Sequence, residues 1–498
     1  MEKRFTIQKI HIFVIIIGML FTIIPCFHSN LWFDESYSVA LASHPFTEIW
    51  NIDIHDVHPV FYYDCLHLLY LVFGNNIVVY RLFSWSCLSI LGIFGYTHIR
   101  KTLNEKMGLL FSFFVFFFPL NIVYGSEVRM YMLVMLLVTI GTYNAYFISI
   151  SPNQIQNHLG MMICFILSAY THYYGLLAAA CVNLLLLIHY IIHHKKYVKY
   201  WFLDGIIQIG CYLPWIFVFL AQTMSVKESF WIYWQWPWSY INTFLFIFSG
   251  NLEKEVFISP ILVIIYAAIL IGYIYFTIKK NKTNIHFVQY TIGIYLSVIL
   301  IACIASLMMM RAVFYARYLL VCHGLLLLFL AYSFSLKNLD KTKKHILSIT
   351  VCMAIIANIS VCQTNYDSSN KAPVTYLREN MKEGDVILVS NYQHDPNSFV
   401  LVSQLSEYPL IYFNECKWSQ ESILAYQAYG KDMKVIDSLE ELKEIPNRIW
   451  VVYGDDEQMG RCSHVLDEVS QAYHKSVQQQ EYFQTKYKNI EYTIGLIS

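Results

Sequence analysis

Charge is scarce in this sequence. Only 14% of the 498 residues are Asp, Glu, Lys or Arg, while 57% are hydrophobic; soluble chains carry about 25% charged residues. That excludes a water-soluble globular fold for most of the length. The 34 basic and 34 acidic side chains cancel to a net charge of +0, so there is no global basic field to attract nucleic acid, and no nucleic-acid partner is expected. No two of the 12 cysteines stand as Cys-x-x-Cys, which removes the usual zinc and redox motifs. Cys87, Cys164, Cys181, Cys211, Cys303, Cys322 and Cys352 lie inside apolar runs, where a thiol is most simply a small core residue. Cys416 and Cys462 fall in the polar C-terminal part and could pair if that part lies outside the cell. No glycine-rich phosphate loop follows any strand-like run, so nucleotide binding is unsupported. No small-residue cleavage site precedes Asn30. The apolar run from Ile10 to Phe27, behind Lys3, Arg4 and Lys9, therefore reads as an uncleaved first transmembrane helix.

What is present is a series of apolar runs. A spanning helix needs about 20 apolar residues, and candidate spans are 10–27, 77–99, 107–123, 131–150, 201–221, 258–278, 287–309, 313–336 and 345–362. As a single helix, 159–192 would be roughly 50 Å long, too long for a hydrocarbon core of about 30 Å. Lys and Arg favour the cytoplasm. The basic clusters Lys3/Arg4/Lys9, Arg100/Lys101/Lys106, Lys195/Lys196/Lys199, Lys279/Lys280/Lys282 and Lys337/Lys341/Lys343/Lys344 all lie inside only if 159–192 crosses twice. The break is expected near Thr171-His172-Tyr173-Tyr174-Gly175. The expected architecture is a polytopic α-helical membrane protein with about eleven transmembrane helices, the N-terminus inside and the C-terminus outside. Residues 1–362 form the transmembrane part and 363–498 an extracytoplasmic domain. Within that domain 385–390, 409–413, 433–437 and 448–453 read as buried strands, with helical patterns at 397–406, 419–429, 438–444 and 463–475. This alternation predicts a small α/β domain with a largely parallel sheet.

The expected topology gathers unusual residues on one face. The outer loop 28–76 contains Trp32-Phe33-Asp34-Glu35, then Asp53, His55, Asp56 and His58, then Tyr62 and Tyr63, and no Lys or Arg lies between Asn30 and Tyr80. Glu127, Arg129 and Tyr131 stand at the outer start of one span, His172 at the expected break, and Arg311, Arg317 and Tyr318 at the mouth of another. Polar and ionisable groups at a membrane are costly and tend to be functional. A carboxylate such as Asp34 or Glu35 can act as a general base; it can also be a helix cap. Asp53, His55, Asp56 and His58 have the donor types for a divalent metal, though their spacing matches no specific site. Arg311 and Arg317 oppose the positive-inside pattern: a guanidinium fork suits a phosphate, and equally snorkels to headgroups. His172 can line a cavity where helices break or be structural. The aromatic loop 222–257, with Trp231, Trp234, Trp236 and Trp238, reads first as an interfacial belt and second as a sugar-stacking surface.

With these residues in view, the chain resembles the GT-C superfamily of membrane glycosyltransferases. Within it, it is similar to the group of protein O-mannosyltransferases and lipid A aminoarabinose transferases, glycosyltransferase family 39. The resemblance rests on Trp32-Phe33-Asp34-Glu35, His58-Pro59-Val60-Phe61-Tyr62-Tyr63, Ser126-Glu127-Val128-Arg129-Met130-Tyr131, Thr171-His172-Tyr173 and Ala316-Arg317-Tyr318-Leu319-Leu320, in that order over roughly residues 1–360. Val60 and Gly125-Ser126 depart from the usual Pro and Ser-Gln. The resemblance implies an inverting hexosyl or pentosyl transfer from a polyprenyl-phosphate sugar to a glycan, lipid or protein acceptor at the outer face of a plasma membrane, as in a bacterial envelope. Carried over by position, Asp34 is the base; Glu35, His58 and Glu127 shape the sugar and acceptor site; Arg129 and Arg317 face the carrier phosphate. Tyr62, Tyr63, Tyr131, His172 and Tyr318 complete the expected substrate-binding set. A flippase or transporter of lipid-linked sugars, or an oligosaccharide ligase, is the rival reading. The C-terminal domain lacks a catalytic constellation and is expected to recognise or shield the acceptor.

Overall fold

A computed structural model of the protein describes residues 2–229, 238–250, 259–311, 313–336, 340–390, 397–414, 420–427, 433–444, 448–454 and 465–498. The chain divides into two compact units. Met1–Phe27, Asp53–Tyr62 and Val79–Val361 make the first; His28–Ile52, Tyr63–Val78 and Cys362–Ser498 make the second. Residues 28–76 are thus shared: most of them group with the C-terminal residues, whereas a simple cut at 362 would leave them with the membrane helices.

Among the described residues nine helices are long and apolar enough to cross a membrane: Thr6–Cys26, Ile77–Thr102, Tyr131–Ile150, Tyr173–His193, Lys195–Met224, Pro260–Lys280, Ile285–Met309, Ala316–Ser335 and Lys341–Asn380. The two remaining expected spans are present as shorter pieces. Residues 107–123 break into helices Glu105–Phe117 and Pro119–Tyr124, with Phe118 extended between them. Pro119 has no N–H to continue the first helix and a φ suited to starting the second. Residues 159–192 break as the charges require, into Ile155–Ala169 and Tyr173–His193. Gly175 permits the tight reversal, since a Cβ there would meet the Ser168 carbonyl oxygen at 2.4 Å.

Helices Tyr131–Ile150 and Leu320–Ser335 are buried on nearly every side and pack on one another and on Glu105–Phe117 or its neighbours. At the periphery, helix Val198–Ser229 exposes Ile206, Ile209, Leu213 and Phe217. An exposed apolar stripe at helical spacing belongs against lipid. The same helix is tied inward by polar contacts: Asp204 lies 2.6 Å from His158 Nδ1, and His158 Nε2 is 3.0 Å from the Pro152 carbonyl.

The second unit contains a six-stranded sheet. β1 (Val386–Ser390), β2 (Leu410–Phe413), β3 (Lys434–Ile436), β4 (Ile449–Gly454), β5 (Val477–Gln484) and β6 (Glu491–Ile497) lie in the order β3-β2-β1-β4-β6-β5. β1 to β4 are parallel, as their apolar runs predict, and the antiparallel hairpin β5–β6 extends the sheet beyond β4. One face buries Leu388, Ile411, Ile436, Val451, Leu466 and Val469. At the foot of β1, Asp385 accepts from Arg448 Nε at 3.0 Å, Arg448 Nη2 at 2.7 Å and Trp450 Nε1 at 2.8 Å. Burial alone would raise this carboxyl; the Arg448, Lys382 N–H and Trp450 hydrogen bonds outweigh it and hold it below the usual carboxylate range. The expected helices appear as Ser398–Val402, Gln420–Tyr426, Leu439–Glu444 and Val465–Tyr473. Cys416, Cys462, Trp231, Trp234 and Trp236 lie outside the described residues, and Trp238 is exposed.

Candidate active site

The sequence-predicted residues fall into two groups, one in each unit. In the first unit the break before helix Tyr173–His193 is a focus. His172 caps that helix: its Nδ1 accepts from the Tyr174 N–H at 3.1 Å, so the ring's remaining proton is on Nε2. Burial first, then the charges of His58, Arg129 and Arg317, push its pKa well below the usual histidine range. The ring is therefore neutral, with a fixed Nε2–H donor. That donor is buried and has no hydrogen-bond partner among the described residues.

Around it stand the rings of Tyr318 at 5.2 Å, Tyr174 at 5.8 Å, Tyr131 at 6.0 Å and His58 at 6.0 Å between centroids. Arg129 Nη2 reaches to 3.5 Å from His58 Nε2, and His58 Nδ1 is 3.4 Å from Asp56 Oδ2. The Arg317 guanidinium stacks over Tyr315 at 5.2 Å, and Tyr315 in turn lies 5.5 Å from Tyr318. Arg129, Glu127, Arg317 and Tyr131 are all buried. Arg317 owes its place to a short 3-10 turn, Ala316–Leu319, that leads into helix Leu320–Ser335. The start of helix Phe61–Phe73 is tied to this break by the Phe61 N–H, which donates to the Tyr170 carbonyl at 2.9 Å. Tyr62 is buried against Phe83, whereas Arg311 is half-exposed at a helix end.

Sequence reasoning missed two residues that hold the Glu127–Arg129 segment. Arg81 Nη1 donates to the Ser126 carbonyl at 2.7 Å, and Ser84 Oγ donates to the Glu127 carbonyl at 2.6 Å. Arg81 is fully buried near the start of the Ile77–Thr102 span, an arginine that also breaks the positive-inside pattern. That signal was available.

His55 is exposed, the Asp53 carbonyl accepts from Gln222 Nε2 at 2.7 Å, and His58 Nδ1 lies 3.4 Å from Asp56 Oδ2. Among the described residues no three His, Cys, Asp or Glu side chains come together to hold an ion.

In the second unit, Trp32 is extended and helix Phe33–Ala42 begins directly after it, with Asp34 and Glu35 in the first turn, where the helix dipole favours carboxylates. The two acids have different surroundings. Glu35 is fully buried and accepts from the Tyr487 hydroxyl at 2.8 Å, while Asp34 is half-buried. Ser36 Oγ donates to the Phe33 carbonyl at 2.8 Å and lies 2.7 Å from Tyr426 Oη. Its only proton is committed, so Tyr426 donates to it. Burial pushes the Tyr426 hydroxyl up and keeps it neutral. Tyr63 meets Tyr37 edge-on at 6.2 Å.

No family model and no curated protein matches the sequence. Solved structures do. ArnT from Cupriavidus metallidurans in the apo state aligns with a TM-score of 0.60 over 97% of each chain at 10% identity. ArnT from the same organism bound to undecaprenyl phosphate aligns with a TM-score of 0.57 over 97% of each chain at 9% identity. At these identities the likeness is one of fold: over nearly its whole length the chain has the fold of ArnT.

Proposed function

We propose that the protein is an inverting glycosyltransferase of the outer membrane face, moving a sugar from a polyprenyl-phosphate donor to a hydroxyl on an envelope glycan, lipid or protein. The observation that carries this reading is the donor set at the His172 break. Two guanidiniums and a neutral imidazole locked as an Nε2–H donor suit a phosphate, which offers only acceptors at its ionised oxygens. The fold is that of a protein seen with undecaprenyl phosphate bound, which supports a lipid-linked phosphate as the ligand.

In the reaction, the acceptor hydroxyl loses its proton to the Asp34 carboxylate as its oxygen attacks the anomeric carbon. The bond from that carbon to the phosphate oxygen breaks on the opposite side, and polyprenyl phosphate leaves with one more negative charge than it had in the donor. Arg129, Arg317 and His172 Nε2–H stabilise that growing charge, so they act more strongly on the transition state than on the bound donor. His58, Glu127, Tyr62, Tyr63, Tyr131 and Tyr318 shape the sugar and acceptor positions. The lysine clusters put the N-terminus in the cytoplasm and residues 363–498 outside. No metal-dependent step is proposed.

Arg317 tests the reading. Undecaprenyl phosphate should bind the wild-type protein in lipid nanodiscs, Arg317→Lys more weakly and Arg317→Ala most weakly, with transfer falling in the same order. Lys keeps the charge but loses the fork. Wild-type binding and transfer by Arg317→Ala would place the phosphate elsewhere.

A further inference from the structure

The segment that bears the candidate base is built into the α/β unit from residues near the C-terminus. Tyr487 lies in the turn joining β5 to β6, where Lys488 and Asn489 take φ of 57° and 52°. These left-handed conformations make the turn tight. The turn is pinned from several sides. The Tyr487 N–H donates to Asn370 Oδ1 at 2.8 Å, the Lys486 N–H donates to Ser369 Oγ at 3.2 Å, and Thr485 Oγ1 donates to the Tyr487 carbonyl at 3.1 Å.

From this fixed turn two side chains reach the Trp32–Glu35 motif. The Tyr487 hydroxyl donates to Glu35, and Lys488 Nζ sits 4.8 Å from the centroid of the Trp32 ring. The Tyr487 ring also meets His28 edge-on at 5.1 Å. On another side of the same helix, Tyr426 donates to Ser36 Oγ and packs near Phe33 and Tyr37, at 6.5 and 6.4 Å between centroids. Tyr426 is itself stacked on Phe399 at 4.4 Å with an interplanar angle of 16°.

We propose that Tyr487 and Tyr426 are positioning residues for glycosyl transfer: they fix the rotation of helix Phe33–Ala42 so that Glu35 is turned into the α/β unit and Asp34 is presented to the acceptor. This rests on the reading of Asp34 as the base. It gives the C-terminal residues a task different from acceptor recognition. Neighbours on a helix project about 100° apart, so anchoring Glu35 inward and Ser36 onto Tyr426 leaves Asp34 one azimuth. Misplacing a catalytic group by about 1 Å can cost about 10²-fold in rate. The tyrosine hydroxyls act through the helix and do not touch the acceptor.

The test uses the full chain in nanodiscs, with undecaprenyl phosphate as the binding probe. Transfer is read by complementing a deletion strain and weighing the envelope glycans for the restored sugar mass. Tyr487→Phe keeps the ring and removes the donor. It should lower transfer about 10- to 100-fold while undecaprenyl phosphate binding and membrane level stay at wild-type values. Glu35→Gln keeps an acceptor oxygen for Tyr487 and serves as the background for a double-mutant comparison. Adding Tyr487→Phe to it should cost less transfer than adding Tyr487→Phe to the wild type, because a buried amide tolerates a missing donor better than a buried carboxylate. Gln480→Ala, exposed on β5, is the neutral control.

Full transfer by both Tyr487→Phe and Tyr426→Phe, with Asp34→Asn inactive, would overturn the positioning role and leave the base assignment standing. Full transfer by Asp34→Asn would overturn the base assignment itself. Loss of phosphate binding together with transfer in Tyr487→Phe would mark a general structural role and also overturn the proposal.

Discussion

His172→Asn separates the two jobs of this residue. At the N-cap, Asn is among the strongest helix initiators, and its side-chain oxygen can accept the Tyr174 N–H in place of Nδ1. The helix should therefore start where it does now, and the protein should insert at wild-type levels. The shorter side chain cannot present the buried Nε2–H to a phosphate. A hydrogen bond to a charged group contributes about 1.5–3 kcal/mol, which at 1.36 kcal/mol per decade is about 10- to 150-fold in affinity. His172→Ala would lose the same hydrogen bond and the cap as well, costing about 1 kcal/mol more in stability. The assay is titration of undecaprenyl phosphate into nanodisc-embedded protein, following intrinsic tryptophan fluorescence, with thermal unfolding in parallel. An Asn variant that binds undecaprenyl phosphate as tightly as wild type would refute the donor assignment. A variant that binds weakly but also unfolds early would refute the separation of cap from ligand.

The same histidine fixes a pH dependence. Its folded pKa lies well below its unfolded value because of burial and the neighbouring cations. Below pH about 6.5 the unfolded chain takes up a proton that the folded one does not. The stabilisation is thus complete above that pH and is lost as pH falls, with a limiting slope of about 1.4 kcal/mol per pH unit for one group. Thermal stability of the wild type should decline from pH 7 to pH 5 more steeply than that of His172→Asn. Equal slopes would mean that the imidazole is protonated in the folded protein.

Three further outcomes follow from the proposed chemistry and from the fold. Asp34→Asn should reduce transfer by about 10²–10⁴-fold, the usual range for general base help, with unchanged undecaprenyl phosphate binding; transfer above a tenth of wild type would exclude it as the base. Cysteines introduced at Lys196 and Glu383, both exposed, should differ in intact cells: an impermeant maleimide labels position 383 and spares 196, and the reverse pattern would invert the topology. Asp385→Asn removes the charge that Arg448 and Trp450 bind and should destabilise the α/β unit by about 1–3 kcal/mol, measured as a lower melting temperature; an unchanged melting temperature would show that the Arg448 pair contributes nothing.

The membrane helices were legible because bilayer thickness and the placement of lysine act on every span alike. Even the break at His172 followed from counting crossings. The split at Phe118 was equally available, since Pro119 cannot continue a helix, but hydropathy averages over such a residue. β3, expected as a buried strand over 433–437, is short and exposes Lys434 and Val435, burying only Ile436. β1, β2 and β4 announced themselves as continuous apolar runs, as strands buried on both faces do. β5 did not: Val-Gln-Gln-Gln-Glu-Tyr-Phe-Gln is mostly polar and lies half-exposed at the sheet edge, and only its pairing with β6 makes it a strand.

The candidate site shows the sharper limit. Motif order put Asp34, Glu35, His58, Arg129, His172 and Arg317 on one face, and the structure gathers His58, Arg129 and Arg317 around His172. Nothing local could say which of two adjacent carboxylates faces outward, because a helix offers both the same backbone. The answer comes from Tyr487, 452 positions further along the chain than Glu35, and from Tyr426, 390 positions beyond Ser36. A buried carboxylate is costly unless something donates to it, so the one with a tyrosine hydroxyl at 2.8 Å is the one that can be buried. Its neighbour Asp34 keeps access to solvent. On the proposed chemistry, which carboxylate serves as the base is a long-range property of the fold, and a truncation that removes β5 and β6 should abolish transfer even though it leaves every motif residue in the first 360 positions untouched. Full transfer by a chain ending at Gln471 would show that helix Phe33–Ala42 holds its own rotation without them.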